Sequence, residues 1–260
     1  MKRFQGLLLF VLVLGLTSCK SWWKKDELED NGPFKGMTAT ALFVESKKYL
    51  DKDEYASAIK RLEALESMYP FSKYAERAQM NLIYAYYKNE EYPAAAATAE
   101  RFIHLYPRAP HVDYAWYMKG LANFQQTRGV FANFLPMDES WRDPGTQTQA
   151  FTDFSLFVAR FPESKYRPNA QQHLIYLRNE FAERELKTAK YYYSRSMYVA
   201  AASRASYVVK NYQQAPAAKD ALAVLYHANK ALGLEKAAAD ALAVYQATWH
   251  QTPDEPHFVR

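Results

Sequence analysis

The sequence predicts an all-α chain: a superhelix of about five stacked helical hairpins, with a loop inserted in the third and a long helix before the fourth. Three observations predict it. An aromatic residue followed by proline recurs as Tyr69-Pro70, Tyr106-Pro107 and Phe161-Pro162, with Tyr212-Gln213 in the same role. Small residues recur at fixed offsets from each pair, so one register runs along the chain. The segments between pairs place apolar residues three and four apart, and none alternates with the two-residue period of a strand.

The N-terminal segment is of a different kind. Lys2 and Arg3 precede an unbroken apolar run from Leu7 to Leu14, followed by Gly15, Leu16 and small polar residues. This is the anatomy of a secretory signal, and the run is shorter than the roughly 20 residues that span a bilayer. Leu16-Thr17-Ser18-Cys19 resembles the lipobox of bacterial lipoproteins, in which the cysteine is acylated and becomes the new first residue. Residues 1–18 are therefore expected to be a cleaved signal, Cys19 the lipidation site, and residues 19–36 a lipidated tether. Because Cys19 is the only cysteine, the chain forms no internal disulfide. Lys20 follows where the inner-membrane retention signal would have Asp. Resemblance to lipoproteins of two-membraned bacteria thus implies sorting to the outer membrane, facing the periplasm. Trp22-Trp23-Lys24-Lys25 suits the headgroup region of that membrane.

Charge and composition narrow the function classes. Lys+Arg 33 against Asp+Glu 28 gives a formal charge of +5, or +3 once Lys2 and Arg3 are removed. The charges are interspersed without a basic block, which gives nucleic-acid binding little support. A hydrophobic content of 49%, with 16% aromatic, supplies a folded core.

The repeat is specified in detail. Two residues after the second member of each pair come Ser72, Ala109, Ser164 and Ala215, followed by Lys73, Pro110, Lys165 and Pro216. Further on in the same register stand Ala78, Ala115, Ala170 and Ala221. A helix ending near the aromatic residue, a tight turn, and a new helix with a small N-cap residue and a proline-tolerant first position would produce this pattern. Upstream of the pairs, Ala58, Ala95 and Ala201 share one register position, and Tyr49, Tyr86 and Tyr192 another. The pattern resembles the tetratricopeptide signature, in which the small residue sits where two helices touch and the tyrosine packs between them. Ala238 continues the series, so a fifth repeat ends near Trp249-His250. Such arrays stack into a superhelix with a concave face.

Two intervals break the period. The longer spacing from Pro107 to Pro162 is assigned to a breaker-rich loop running from Gln125 through Trp141-Arg142-Asp143-Pro144-Gly145. The longer spacing from Pro162 to Gln213 is assigned to a helical extension, since Asn169 to Tyr193 lacks Pro and Gly. Residues 37–163 thus read as repeats one to three, residues 164–251 as the long helix with repeats four and five, and residues 252–260 as a tail.

With this organisation the chain resembles the lipoprotein family of the outer-membrane β-barrel assembly machinery, the BamD or ComL type. The most specific stretches are Arg142-Asp143-Pro144, Ala150-Phe151-Thr152-Asp153-Phe154-Ser155, Arg160-Phe161-Pro162-Glu163-Ser164-Lys165-Tyr166 and Ala189-Lys190-Tyr191-Tyr192-Tyr193-Ser194-Arg195. Tyr212-Gln213 and the loop Gly129 to Met137 depart from the pattern. The resemblance implies an assembly factor whose C-terminal repeats dock to the periplasmic domains of the barrel-forming subunit, with accessory lipoproteins as further partners. Its N-terminal repeats would receive the C-terminal strand of unfolded outer-membrane proteins. Arg195 matches a basic family residue that meets the barrel subunit, against the plainer reading of a solvated turn arginine.

First-helix positions on the concave face fall at Phe43 and Lys47, at Met80, Tyr84 and Tyr87, and at Tyr117, Leu121 and Phe124. With Arg77 and Lys47 at its edge, such a groove would suit an extended peptide with alternating aromatics and a terminal carboxylate; several of these residues could equally fill the interior. No catalytic residue, metal site or cofactor is expected. His104, His111, His173, His227, His250 and His257 form no HExxH or other close pair, and there is no phosphate-binding glycine loop or GxSxG elbow. Glu180, Glu183 and Glu185 with Arg178 and Arg184 read as a charged helix face stabilised by pairs three or four apart. A pilus or secretion-system assembly lipoprotein accounts for the lipobox and repeats only, and an envelope enzyme for the signal only.

Overall fold

The computed structural model describes residues 33–128 and 145–257. These form ten α-helices and no strand among the described residues. In chain order they are α1 (Ala39–Leu50), α2 (Tyr55–Met68), α3 (Ala75–Lys88), α4 (Tyr92–Leu105), α5 (Val112–Arg128), α6 (Gly145–Arg160), α7 (Arg167–Ser194), α8 (Tyr198–Asn211), α9 (Ala217–Ala231) and α10 (Glu235–Trp249). Short turns reverse the chain after each helix from α1 to α4 and from α6 to α9, so successive helices pack antiparallel.

The turn between hairpins repeats four times with one hydrogen-bond pattern. The amides of Tyr69, Tyr106, Phe161 and Tyr212 donate to the carbonyls of Leu65, Phe102, Phe157 and Val208 at 2.8–2.9 Å, closing the preceding helix. The amides of Ser72, Ala109, Ser164 and Ala215 then donate to those aromatic residues' carbonyls. The small residue caps a single turn ahead of the helix: the Ser72, Ala109 and Ser164 carbonyls accept from Ala75, Val112 and Arg167, the Ala215 carbonyl accepts from Ala218, and the Ser164 hydroxyl also accepts from the Tyr166 amide. The α-helix begins one to two residues later than the pattern implied, because a single tight turn precedes it.

The turn within a hairpin is a left-handed cap. Asp53, Glu90, Ser196 and Gly233 all take φ between 57° and 68°. In each case the following amide reaches back five residues: Glu54 to Tyr49, Glu91 to Tyr86, Met197 to Tyr192 and Leu234 to Asn229. This satisfies orphan carbonyls at the helix end, and only Gly233 takes the conformation without a Cβ penalty.

Alanine sets the helix spacing. Ala58, Ala78, Ala95, Ala115, Ala170, Ala201, Ala221 and Ala238 are all buried, so backbones approach where a larger side chain would hold them apart. Gly120 does the same on α5: a Cβ there would lie 2.9 Å from the Phe154 ring of α6. The core is a chain of neighbouring clusters, as nearest-neighbour stacking requires. Leu42, Leu62, Leu65 and Leu82 join the first two hairpins; Ile83, Phe102 and Met118 join the second to the third. The 28-residue α7 is shared: Ala170 and Leu177 pack with Phe124, Phe154 and Phe157, while Ala182, Leu186 and Ala189 pack with α8 and α9.

One sequence expectation is corrected here. Gln125 to Arg128 are the last residues of α5 and Gly145 the first of α6, so the inserted loop is shorter at both ends than its breaker residues implied; Gly129 to Pro144 lie outside the described residues. Charged residues of α7 also reach beyond their own helix. Arg204 of α8 pairs with Glu185 at 3.0 Å, Arg184 donates to Gln147 of α6 at 3.1 Å, and Arg178 donates to Gln214 at 2.6 Å.

Candidate peptide and partner-binding surfaces

A groove of about 950 Å³ lies where three elements converge. Met80, Asn81 and Tyr84 of α3 form one wall; the entry to α5 from Ala109 to Tyr114 forms another; the α6–α7 turn from Arg160 to Tyr166 forms the third. The third wall is held rigidly. The Ser164 hydroxyl donates to the Asp113 carboxylate at 2.6 Å and accepts from the Tyr166 amide at 3.3 Å. The Tyr166 ring stacks on Tyr117 with centroids 4.8 Å apart and meets Tyr114 at 5.5 Å. Tyr117 in turn donates its hydroxyl to Asn169 at 2.8 Å.

The chemistry of the groove is aromatic with cations along one side. The Arg160 guanidinium lies 5.4 Å from the Trp116 ring centroid and 5.9 Å from that of Phe161; the Lys165 ammonium lies 5.0 Å from Tyr166. Burial, followed by the neighbouring Tyr166, pushes the Tyr114 hydroxyl well above the usual phenol range, so it stays a neutral donor. Such a site can hold apolar side chains and a carboxylate. Among the described residues no group of three metal-ligating side chains occurs.

The sequence-chosen residues separate into four groups. Met80 and Tyr84 line the groove. Tyr117 and Leu121 stand behind it, packed against Phe154, Phe157 and the neighbouring core, and Tyr87 packs on Tyr92 while accepting from the Gln125 amide at 3.2 Å. Phe43 and Phe124 are core residues rather than groove wall. Phe43 is buried beneath Tyr74, its ring stacked at 4.8 Å, with the Arg77 guanidinium 4.9 Å from its centroid. Phe124 is buried against His173 and Tyr176 and only borders a separate recess of about 280 Å³. Lys47 is exposed near the end of α1, and Arg77 is exposed over Phe43. Among the groove residues that were missed, Asn81 of α3 and Tyr114 of α5 stand on first helices outside the positions that the repeat assigns to the concave face, whereas Arg160, Ser164, Lys165 and Tyr166 come from the end of α6 and the turn after it. The available signal was the repeated turn itself, which delivers residues beside those helices.

Arg195 is the C-cap residue of α7, exposed at the α7–α8 turn, with its guanidinium 5.5 Å from the Tyr191 ring centroid. Met197 and Val199 beside it are also exposed. This makes a small apolar surface around a cation, the composition of an interface anchor. Cys19 lies outside the described residues. No described helix is long and apolar enough to cross a membrane.

Residues 35–244 match the family described as outer membrane lipoprotein, YfiO. The chain belongs to that family. It is 34% identical to the outer membrane protein assembly factor BamD of Neisseria meningitidis serogroup A over 251 residues, covering 96% of this chain and 93% of the relative. It is 36% identical to the BamD of Vibrio cholerae over 91% of this chain and 93% of that protein. The BamD of Haemophilus influenzae is 28% identical over 98% and 97% of the two chains. The YfiO match covers all five hairpins up to the middle of α10, so the groove and the Arg195 turn both fall within it.

Proposed function

We propose that this YfiO-family chain is an outer membrane protein assembly factor: a lipid-anchored scaffold on the periplasmic side of the outer membrane that binds proteins and catalyses no reaction. The observation that carries this reading is end-to-end similarity to proteins named for that role, at 34% identity over 96% of the chain. In this reading Cys19 carries the lipid. The C-terminal hairpins dock through Arg195 to the periplasmic part of the barrel-forming subunit, and accessory lipoproteins join the same complex. The groove between α3 and the α5 and α7 entries takes the aromatic, carboxylate-terminated strand of an unfolded barrel protein. Its aromatic walls and its cations Arg160 and Lys165 support that assignment. The pilus or secretion-system reading has no observation in its favour.

Two substitutions test the reading. Cys19→Ala releases the protein from the membrane fraction or leaves it unprocessed, because the lipid supplies the apolar area that holds it there. Arg195→Glu leaves folding nearly unchanged and removes the barrel-forming subunit from co-purified material, because like charge replaces attraction at the contact. Retention of that subunit at wild-type yield would exclude Arg195 as the docking residue. A basic substitution on the partner that restores binding would identify the acidic group it meets.

A further inference from the structure

The two edges of the N-terminal hairpins differ in charge and in apolar exposure. Helices α1, α3 and α5 all start at one edge and α2, α4 and α6 end there, so this edge gathers residues 33–40, 67–75, 104–112 and 160–166. The Tyr69 hydroxyl donates to the Met37 carbonyl at 2.8 Å, and the Thr40 hydroxyl donates to Tyr74 at 3.3 Å, joining the first two stretches. The first three stretches contain Lys35, Lys73 and Arg108 and no carboxylate, and the fourth sets Arg160 and Lys165 against the single carboxylate Glu163. Of the flanking acidic side chains, Glu66 pairs with Arg101 at 3.0 Å, Glu100 with Lys119, and Asp113 accepts from Ser164, which leaves Glu76 in the first turn of α3 as the carboxylate beside the cations. The opposite edge carries Asp51, Asp53, Glu54, Glu90 and Glu91 against Lys52 and Lys88.

The basic edge also bears the most exposed large apolar side chain among the described residues. Phe71 is 99% exposed at the tip of the first inter-hairpin turn, with Met68 and Leu105 exposed on the same edge. The turn is closed by hydrogen bonds from Ser72 to Tyr69 and from Ala75 to Ser72, and Pro70 stiffens it, so the ring is presented on a fixed support. The polypeptide from Cys19 enters the fold at this same edge. Whatever its conformation, the stretch from Cys19 to Gly32 reaches no further than about 50 Å, and the acidic edge lies roughly one helix length, ~20 Å, beyond.

We propose that this edge seats on the membrane surface, with the Phe71 ring at the headgroup–acyl boundary and Lys35, Lys73 and Arg108 on anionic phospholipid headgroups. An aromatic ring flanked by cations is the composition that partitions to that interface. The proposal rests on the Cys19 anchor for its proximity argument, and its consequence is a fixed orientation: the hairpin axes stand toward the membrane and the acidic edge faces the periplasm.

The test uses the full mature lipidated chain with Phe71→Cys, where the new thiol is the only free one, labelled with an environment-sensitive nitrobenzoxadiazole dye. Val199→Cys, 71% exposed beside the α7–α8 turn, is the control. In vesicles of phosphatidylcholine with three-tenths phosphatidylglycerol, the label at position 71 should shift to the blue and brighten at least threefold, while that at 199 does not. Half-molar salt, or the triple change Lys35→Glu, Lys73→Glu and Arg108→Glu, should abolish the difference. Equal signals at 71 and 199 overturn the proposal. So does brightening at 71 without vesicles when a barrel-protein peptide or more of this chain is added, since the edge is then a protein contact. Mass spectrometry of Cys19 separates the two readings. If no lipid is found there, the Cys19→Ser chain is labelled at the same positions and mixed with excess vesicles. A shift at 71 that requires phosphatidylglycerol sustains the edge without the anchor, and its absence removes the proposal.

Discussion

The Asn123 side-chain amide donates to the Asp153 carboxylate at 2.6 Å, and both residues are buried. Asn123 of α5 stands in the register of Tyr86, so the third hairpin replaces an inter-helix tyrosine with a hydrogen bond to a buried charge. Lys119 closes the group, 3.2 Å from Asp153 and paired also with Glu100 of α4, while Gln149 donates to Asp153 at 3.1 Å. Three helices are thereby tied at the hairpin that carries the inserted loop. Asp153→Ala leaves the Lys119 ammonium and the Asn123 amide short of a partner in a site with little water, and should destabilise the fold by about 3 kcal/mol. Urea unfolding of variant and wild type measures it; a loss under ~0.5 kcal/mol would show that the group adds nothing net.

Acid should weaken the same junction. The hydrogen bond from Lys119 holds the Glu100 carboxyl below its usual range against the opposing effect of burial, with His104 adding to the depression. A carboxyl depressed in the folded state contributes stability above its unfolded pKa, and that contribution is lost as pH falls through the folded value. Glu100→Gln should therefore be less stable than wild type at pH 7, with the gap closing below about pH 4.3. Urea midpoints at pH 7 and pH 3 decide it, and a gap that is constant with pH removes the ion pair as its cause.

Gly120→Ala should destabilise the third hairpin. The added methyl meets the Phe154 ring, which is fully buried and cannot swing away. Overpacking of this kind costs about 1–3 kcal/mol. Pairing it with Phe154→Leu should recover part of the loss, because the ring is the obstacle. A thermal melt of the double variant below that of either single variant would place the strain elsewhere.

Glu90→Gly should raise stability by roughly 1 kcal/mol. Glu90 holds φ at 63° in the α3–α4 turn and its side chain is exposed. The left-handed conformation penalises any Cβ, and Gly233 already occupies the equivalent place in the last hairpin. Chemical denaturation reads the change, and a lower midpoint would mean that Glu90 contributes a surface interaction larger than its backbone penalty.

The linear order of amino acids determined the all-α class, the hairpin register and the alanine seams, since each is a matter of local period: 3.6 residues per turn, a breaker between helices, a small residue where backbones meet. Similarity in sequence, read end to end, determined the family. Ala58, Ala95, Ala201 and Ala238 could be placed by counting because every repeat solves the same packing problem. What counting could not supply was which aromatic side chain faces out. Phe43 and Tyr84 lie on first helices in neighbouring hairpins, yet Tyr74 from the following turn covers one while the other stays exposed. Only the tertiary structure brought Ser164 to Asp113 across 51 residues, and with it the third wall of the groove. The reason is that burial depends on what the next repeat lays over a position, a long-range relationship that a local period does not carry.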